Sequence, residues 1–289
     1  MTRKFDHLVL CVRDLERARQ VYGAIGFTLT PRALHPFGTC NSLVQLQGNF
    51  LELLSIADPG LIAKAAAGQF NFAAYNEAFL KKREGFSMLV FASSDAAADA
   101  VEFKNSGLEA HEVFHFARQA TLPDGSQAEV KFSLAFVTEP SMPEAAFFTC
   151  QQHAPQHFWR PEFQRHANGA RRIAEVVMSA ARPGDHKDFF ERLMGARAES
   201  LPSGFRIGGE GERLTMLDPA ALAARFPEIP RGGAGDTPRF EAYAIEVADL
   251  SATRALLESR GIAFRAAADT LVLPPTAAFG VAIELRTPA

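Results

Sequence analysis

The sequence predicts an α+β fold of four βαβββ modules, paired into two cupped, barrel-like mixed sheets with the helices on the outside. Three observations predict it. A strand-like apolar run followed by a helical pattern, closed by Gly, occurs four times along the chain, each time with further strand-like runs behind it. The 289 residues are 47% hydrophobic and 22% charged, the composition of a folded chain large enough for two domains. One module alone is too small to bury its sheet, so the modules are expected to pair.

The first module opens with a strand at residues 5–12. Asp14 caps a helix over residues 14–24, in which Leu15, Ala18, Val21, Tyr22 and Ile25 recur at helical spacing before Gly26. Strands follow at residues 27–34, 41–47 and 50–56. The second module repeats the order: a strand at 86–92, a helix from Asp95 to Gly107, and strands at 111–122, 128–137 and 145–152, with Pro123-Asp-Gly125 as a hairpin turn. The third has a strand at 173–180, Pro183 in the first turn of a helix ended by Gly195, and weaker strands around Gly208-Gly-Glu-Gly211. The fourth has a strand at 241–247, a helix capped by Asp249 and closed by Gly261, and strands at 262–268, 270–273 and 281–286.

Residues 58–84 are Ala-rich and read as a connecting helix, and residues 219–238 link the last two modules, with a flexible Gly232-Gly-Ala-Gly235. The division expected is a first domain at 1–155, a connector at 156–167 and a second, degenerate domain at 168–289.

Composition excludes several classes. A net charge of −3 carries no nucleic-acid footprint. No apolar run approaches the roughly 20 residues of a membrane helix, and the N-terminus leads straight into a strand, with no room for a signal peptide. Three cysteines, an odd number with no CxxC, suggest a reduced cytoplasmic protein, with Cys11 and Cys150 as small core residues. There are 25 Phe against 3 Tyr and 1 Trp, a balance that suits cores and apolar pocket walls.

The chemistry concentrates in His35-Pro-Phe37-Gly38-Thr39-Cys-Asn41 and in Phe50-Leu-Glu52-Leu-Leu. The first is a punctuated turn holding a His; the second is a strand with a carboxylate among hydrophobes. Such a carboxylate costs free energy unless it meets a metal, a cation or a donor. With Phe5-Asp-His7-Leu-Val-Leu, Asp14-Leu15, the run Phe148-Thr-Cys-Gln-Gln-His153, Trp159-Arg-Pro161 and His166-Ala-Asn168-Gly169, these residues resemble the vicinal oxygen chelate superfamily, and within it the glyoxalase-like proteins. The resemblance covers the first 180 residues well and the remainder in layout.

That resemblance implies metal ligands on the first and last strands of a module, which match His7 and Glu52. Strand alternation agrees, placing His7 on a face with Phe5, Val9 and Cys11, and Glu52 opposite Leu51 and Leu53. The partner module departs from the pattern. It offers Met88 or Ser87 on its first strand and Thr149 or Gln151 on its last, of which Gln151 could supply an amide oxygen. In the second half Glu284 stands at the Glu52 position, Ala242 where a His is needed, and Glu175 alone in the third module. This lacks the two His of the superfamily's iron dioxygenases.

Arg118, in an alternating run from Val113, matches an Arg of the subgroup. An Arg fork in an apolar cup suits a substrate carboxylate or phosphate, and a salt bridge with Glu52 is the alternative. Asn41, Phe37 and Gln151 are further candidates for substrate contact, with Phe50 and Phe147 as pocket walls. His153, His157 and His166 lack metal-ligand spacing and, with Trp159, are expected to pack the two halves together.

The leading expectation is a glyoxalase-like small-molecule enzyme, a lyase, isomerase or oxygenase. A divalent ion (Zn, Mn, Fe or Ni) on His7 and Glu52 would chelate adjacent oxygens of a small anionic substrate, His35 would carry a proton, and Arg118 would hold an anionic end. No nucleotide cofactor is expected; a homodimer is left open. The alternative is a metal-free ligand-binding or sequestering protein of the same fold.

Overall fold

The computed structural model describes residues 2–64, 68–121, 127–209, 211–230 and 237–288. Gly232-Gly-Ala-Gly235 and the Pro123-Asp-Gly125 turn lie outside the described residues.

The first module comprises β1 (Phe5–Cys11), α1 (Leu15–Ile25), β2 (Ala33–Leu34), β3 (Thr39–Gln45) and β4 (Phe50–Ile56). After α2 (Phe72–Lys82) come β5 (Gly85–Ser93), α3 (Ala96–Asn105), β6 (Glu109–Ala110), β7 (Phe114–Thr121), β8 (Gln127–Thr138) and β9 (Ala146–Gln152). The short α4 (Pro155–Phe158) leads to β10 (Ala170–Ser179), α5 (Lys187–Met194), β11 (Glu199–Leu201), β12 (Gly204–Gly209) and β13 (Glu212–Leu217). The chain ends with α6 (Pro219–Arg225), β14 (Arg239–Val247), α7 (Leu250–Ser259), β15 (Arg265–Ala267), β16 (Thr270–Leu273) and β17 (Ala282–Arg286).

The helix starts follow from capping. Asp14, Asp95 and Asp249 accept from the backbone N–H of Arg17, Ala98 and Ala252, satisfying donors that the first turn leaves free. The expected strand at 27–34 is reduced to β2. Pro31 lacks an N–H, and only isolated bonds such as Thr30 N–H to the Leu43 carbonyl tie this stretch to β3.

Two mixed sheets result, both open rather than closed barrels. The first has the order β2-β3-β4-β1-β5-β9-β8-β6 with β7 also on β8; the second is β11-β12-β13-β10-β14-β17-β16-β15. At each centre the first strands of two modules pair antiparallel, β1 with β5 and β10 with β14. Each is flanked by a parallel neighbour, β4 beside β1 and β17 beside β14.

Helices α1, α3, α5 and α7 lie outside the cups, while α2, α4 and α6 pack on the concave faces, and the outer helices do not cover two separate cores. Leu8, Leu51, Phe91 and Phe147 of the first sheet share one buried cluster with Ile173, Met178, Phe240 and Ile283 of the second, and α1, α3, α5 and α7 contribute to it. Phe86 stacks on Phe240 at 3.9 Å between ring centres, and the Tyr22 and Tyr243 hydroxyls are 2.8 Å apart. Asn49 adds a two-way clamp, accepting from the Ile173 N–H at 2.9 Å and donating to its carbonyl at 3.1 Å. The concave faces keep linings of their own, rich in Phe in the first cup and small in the second. Among the described residues no helix is long and apolar enough to cross a membrane.

Candidate active site in the first cup

Alternation sends Val9, Cys11, Phe50, Leu54, Met88, Val90, Phe148 and Cys150 into the first cup. It breaks at one point. The β1–β5 register slips between Phe5 and His7, so Phe5 joins the core between the sheets while His7 faces the cup. Phe5 and His7 therefore do not share a face, contrary to the alternation. The slip leaves Asp6 beside its neighbour, with the Asp6 carboxylate 2.6 Å from His7 Nδ1, and Gln152 donates to the other Asp6 oxygen at 3.0 Å. The His7 ring stacks on Phe50 at 4.3 Å and meets the edge of Phe148. Its Nε2 lies 3.6 Å from Glu52 Oε2.

The other arm comes from the turn before β3. Gly38 has φ +91°, and a Cβ there would lie 2.4 Å from the Asp58 carbonyl oxygen, so the turn requires Gly. Its carbonyl accepts from the N–H groups of Ala57 and Asp58, fastening the turn to the end of β4. Inside this turn His35 Nδ1 bonds Thr39 Oγ1 at 2.7 Å, and Asn41 Nδ2 reaches His35 Nε2 at 3.2 Å and Glu52 Oε1 at 2.5 Å. Because Glu52 accepts from Asn41, the amide is oriented with its nitrogen inward. Asn41 Oδ1 is then buried without a partner.

His7, His35, Asn41, Glu52 and Arg118 thus line one cavity, walled by Phe37, Phe50, Phe72, Phe116, Phe132, Phe148 and Phe158. Four of the five polar residues are nearly sealed from solvent. Burial pushes the Glu52 carboxyl up, while His7, the Asn41 bond and Arg118 pull it down and Asp6 adds to the rise. Burial, reinforced by the charge of Arg118, pulls the His35 ring down to about 3. His35 is therefore neutral at ordinary pH, accepting from Asn41 at Nε2 and donating to Thr39 at Nδ1. The structure places His35 in the cavity wall, where its ring supports Asn41. Arg118 makes no hydrogen bond or ion pair with another described residue. Burial pulls its guanidinium down, with only the charge of Glu52 opposing. It is a cation facing the cavity with its fork free.

Two expected site residues lie elsewhere. Gln151 accepts from the Ala96 N–H at 3.2 Å and donates to the Ser94 carbonyl at 2.8 Å, holding the start of α3, because its position in β9 faces the helices; Cys150 takes the cavity position. Phe147, on the same side of β9 as Gln151, packs against Phe189, Phe190 and Phe240. Sequence reasoning also missed Asp6, which only the slipped register brings to His7, and Phe158, which the connector supplies. Phe116 and Phe132 were findable from their alternation with polar neighbours.

The donor set does not fit a tightly held divalent ion. Among the described residues no group of three or more His, Cys, Asp and Glu is arranged to hold one. The Asn41 amide nitrogen sits between Glu52 and His35, and Arg118 presents a positive charge to the same space. His7 and Glu52 remain two donors where a catalytic ion ordinarily takes three. Met88, at the partner position, is fully buried and receives only a 3.8 Å contact from Asn76.

The second cup is filled by its own charges. Arg225 of α6 grips Glu175 through both nitrogens at 2.8 and 3.0 Å and reaches Glu284 at 3.1 Å, while Arg286 and Arg213 complete the set.

The model of the glyoxalase-like domain family matches residues 5–194. No curated protein matches the chain. Among solved structures, a hypothetical protein from Staphylococcus aureus superposes with TM-score 0.70 at 13% identity, covering 98% of each chain. A variant of 4-hydroxymandelate synthase from Streptomyces coelicolor gives 0.61 at 12% identity, over 100% of this chain and 94% of that one. The Mn(II)-bound glyoxalase from Novosphingobium aromaticivorans gives 0.57 at 11%, over 100% and 83%. These likenesses establish a shared fold.

Proposed function

The chain belongs to the glyoxalase-like domain family, and from that premise we propose that its first cup is the active site of a small-molecule lyase or isomerase acting on an anionic, carbonyl-bearing substrate. The observation that carries this reading is the free Arg118 fork facing the Glu52 carboxylate inside a cage of Phe side chains. Glu52 is the proton carrier. Its carboxyl, pushed up by burial, lies closer to the operating pH than an exposed one, as abstraction of a proton next to a carbonyl requires. Arg118 holds the substrate's oxyanion and stabilises the enolate that proton removal creates. His7, held by Asp6, and Asn41, held by His35, fix the two Glu52 oxygens. The Phe walls exclude water, which strengthens each of these interactions. The three cysteines are free and buried, which suits a reducing cytoplasm.

A second reading rests on Arg118 and the apolar walls alone: a protein that binds the same anion without reaction. Proton exchange with deuterated solvent, followed by NMR for a panel of short 2-oxo acids and hydroxyketones, separates the two. Exchange that survives chelator and disappears in Glu52→Gln supports the enzyme. Binding without exchange supports sequestration, exchange abolished by chelator restores a metal role, and neither binding nor exchange overturns the site.

A further inference from the structure

The Phe-lined cage encloses about 50 Å³, room for roughly four waters. A groove of about 630 Å³ adjoins it, and Asn41, Leu43, Arg118 and Phe158 belong to the walls of both. The two spaces differ in chemistry. The cage is aromatic, whereas the groove carries Arg32, Arg160 and His157 beside Arg118, with no carboxylate among its described lining residues. Arg160 also pairs with Glu162, which is not among the lining residues, and Arg32 is exposed.

The outer wall is built by the connector between the two halves. Gln45 of β3 donates to the Phe158 carbonyl at 2.8 Å and accepts from the Arg160 N–H at 3.0 Å, and Gln164 donates to the Leu46 carbonyl at 3.0 Å. These bonds hold Phe158 and Arg160 along the first sheet, so residues that join the halves also shape the site. Asn41, which lines both cage and groove, keeps a buried Oδ1 with no hydrogen-bond donor among the described residues.

Resting on the reading of the first cup given above, we infer that its ligand has two parts: a head of a few heavy atoms in the cage and a larger, oxyanion-bearing tail in the groove. A donor such as an amide N–H at the joint satisfies Asn41 Oδ1, and Arg118 lies beside that joint. The tail's oxyanion is a carboxylate or a phosphate, which Arg recognises by the same bidentate geometry.

Isothermal titration at low salt tests this with three probes: propionate, N-propionylglutamate and N-propionyl-O-phosphoserine. At least one conjugate is expected to bind about tenfold more tightly than propionate, and the preferred conjugate identifies the oxyanion. In Arg32→Glu the advantage is expected to fall below about threefold, read as a ratio of affinities on one folded protein. If neither conjugate outbinds propionate, or if the advantage is unchanged in Arg32→Glu, the groove is not a tail site, while the reading of the cage stands. If none of the three binds the wild-type protein, both readings fall.

Discussion

Asp6 and His7 are adjacent in a strand, yet their side chains hydrogen-bond at 2.6 Å, because the β1–β5 register slips between Phe5 and His7. A regular strand would send them to opposite faces. The slip gives His7 a fixed carboxylate partner at Nδ1 and turns Nε2 toward Glu52. Replacing Asp6 with Asn removes the charge from this bond. Denaturant melts should show a loss of about 1–3 kcal/mol, and the ligand-dependent rise in melting temperature should shrink.

Arg118 tests function against stability. Its half-buried cation has no partner among the described residues, so Arg118→Met should leave stability unchanged or raise it by about 1 kcal/mol. The same change should weaken carboxylate binding about tenfold or more. Urea denaturation and calorimetric titration read the two effects separately. A variant that loses stability and keeps binding would show that Arg118 is structural.

In the second cup the sign reverses, because Arg225 is fully engaged. Arg225→Met leaves Glu175 and Glu284 undercompensated and should cost about 3–5 kcal/mol, measured by chemical denaturation. Burial pushes the Glu175 carboxyl up, but the Arg225 bonds and charge, Thr215 and Arg213 outweigh it and hold the carboxyl well below the ordinary range. The stability this contributes is complete above the unfolded carboxylate value of about 4.3 and is lost as pH falls through the lower folded value. Wild-type stability should therefore drop on acidification below that point, and the slope should be shallower in Arg225→Met.

Gly38→Ala probes the turn that presents His35 and Asn41. With φ at +91° and the Asp58 carbonyl 2.4 Å from a Cβ, the variant should lose about 1–3 kcal/mol in a thermal or urea melt. Ligand affinity should fall with it, since the turn carries the residues that hold Glu52.

Module order, helix caps and the cup-facing positions of Glu52, Arg118 and Phe37 were legible because each depends on local chemistry: a period of two, an Asp before a helical pattern, a Gly where φ is positive. Gln151 was misplaced by one position on β9, since alternation fixes which residues share a face but not which face meets the cup. Phe5 was misread, and Asp6 missed, because a register slip depends on the partner strand. For His35 the sequence shows only an imidazole in a turn, and burial beside Arg118 is what pulls its pKa down.

The sequence by itself determined the family, the four modules and the residue types available to the first cup. The tertiary structure decided what they can do together. Asn41 between Glu52 and His35, and a cation facing them, set the two expected metal donors among an amide and a guanidinium, the arrangement from which we propose an anion site. Arg225 closes the second cup that the same layout would have left open. Both outcomes rest on long-range placement of charges in a low-dielectric interior, where a few ångströms decide whether a carboxylate meets an ion, an amide or a guanidinium.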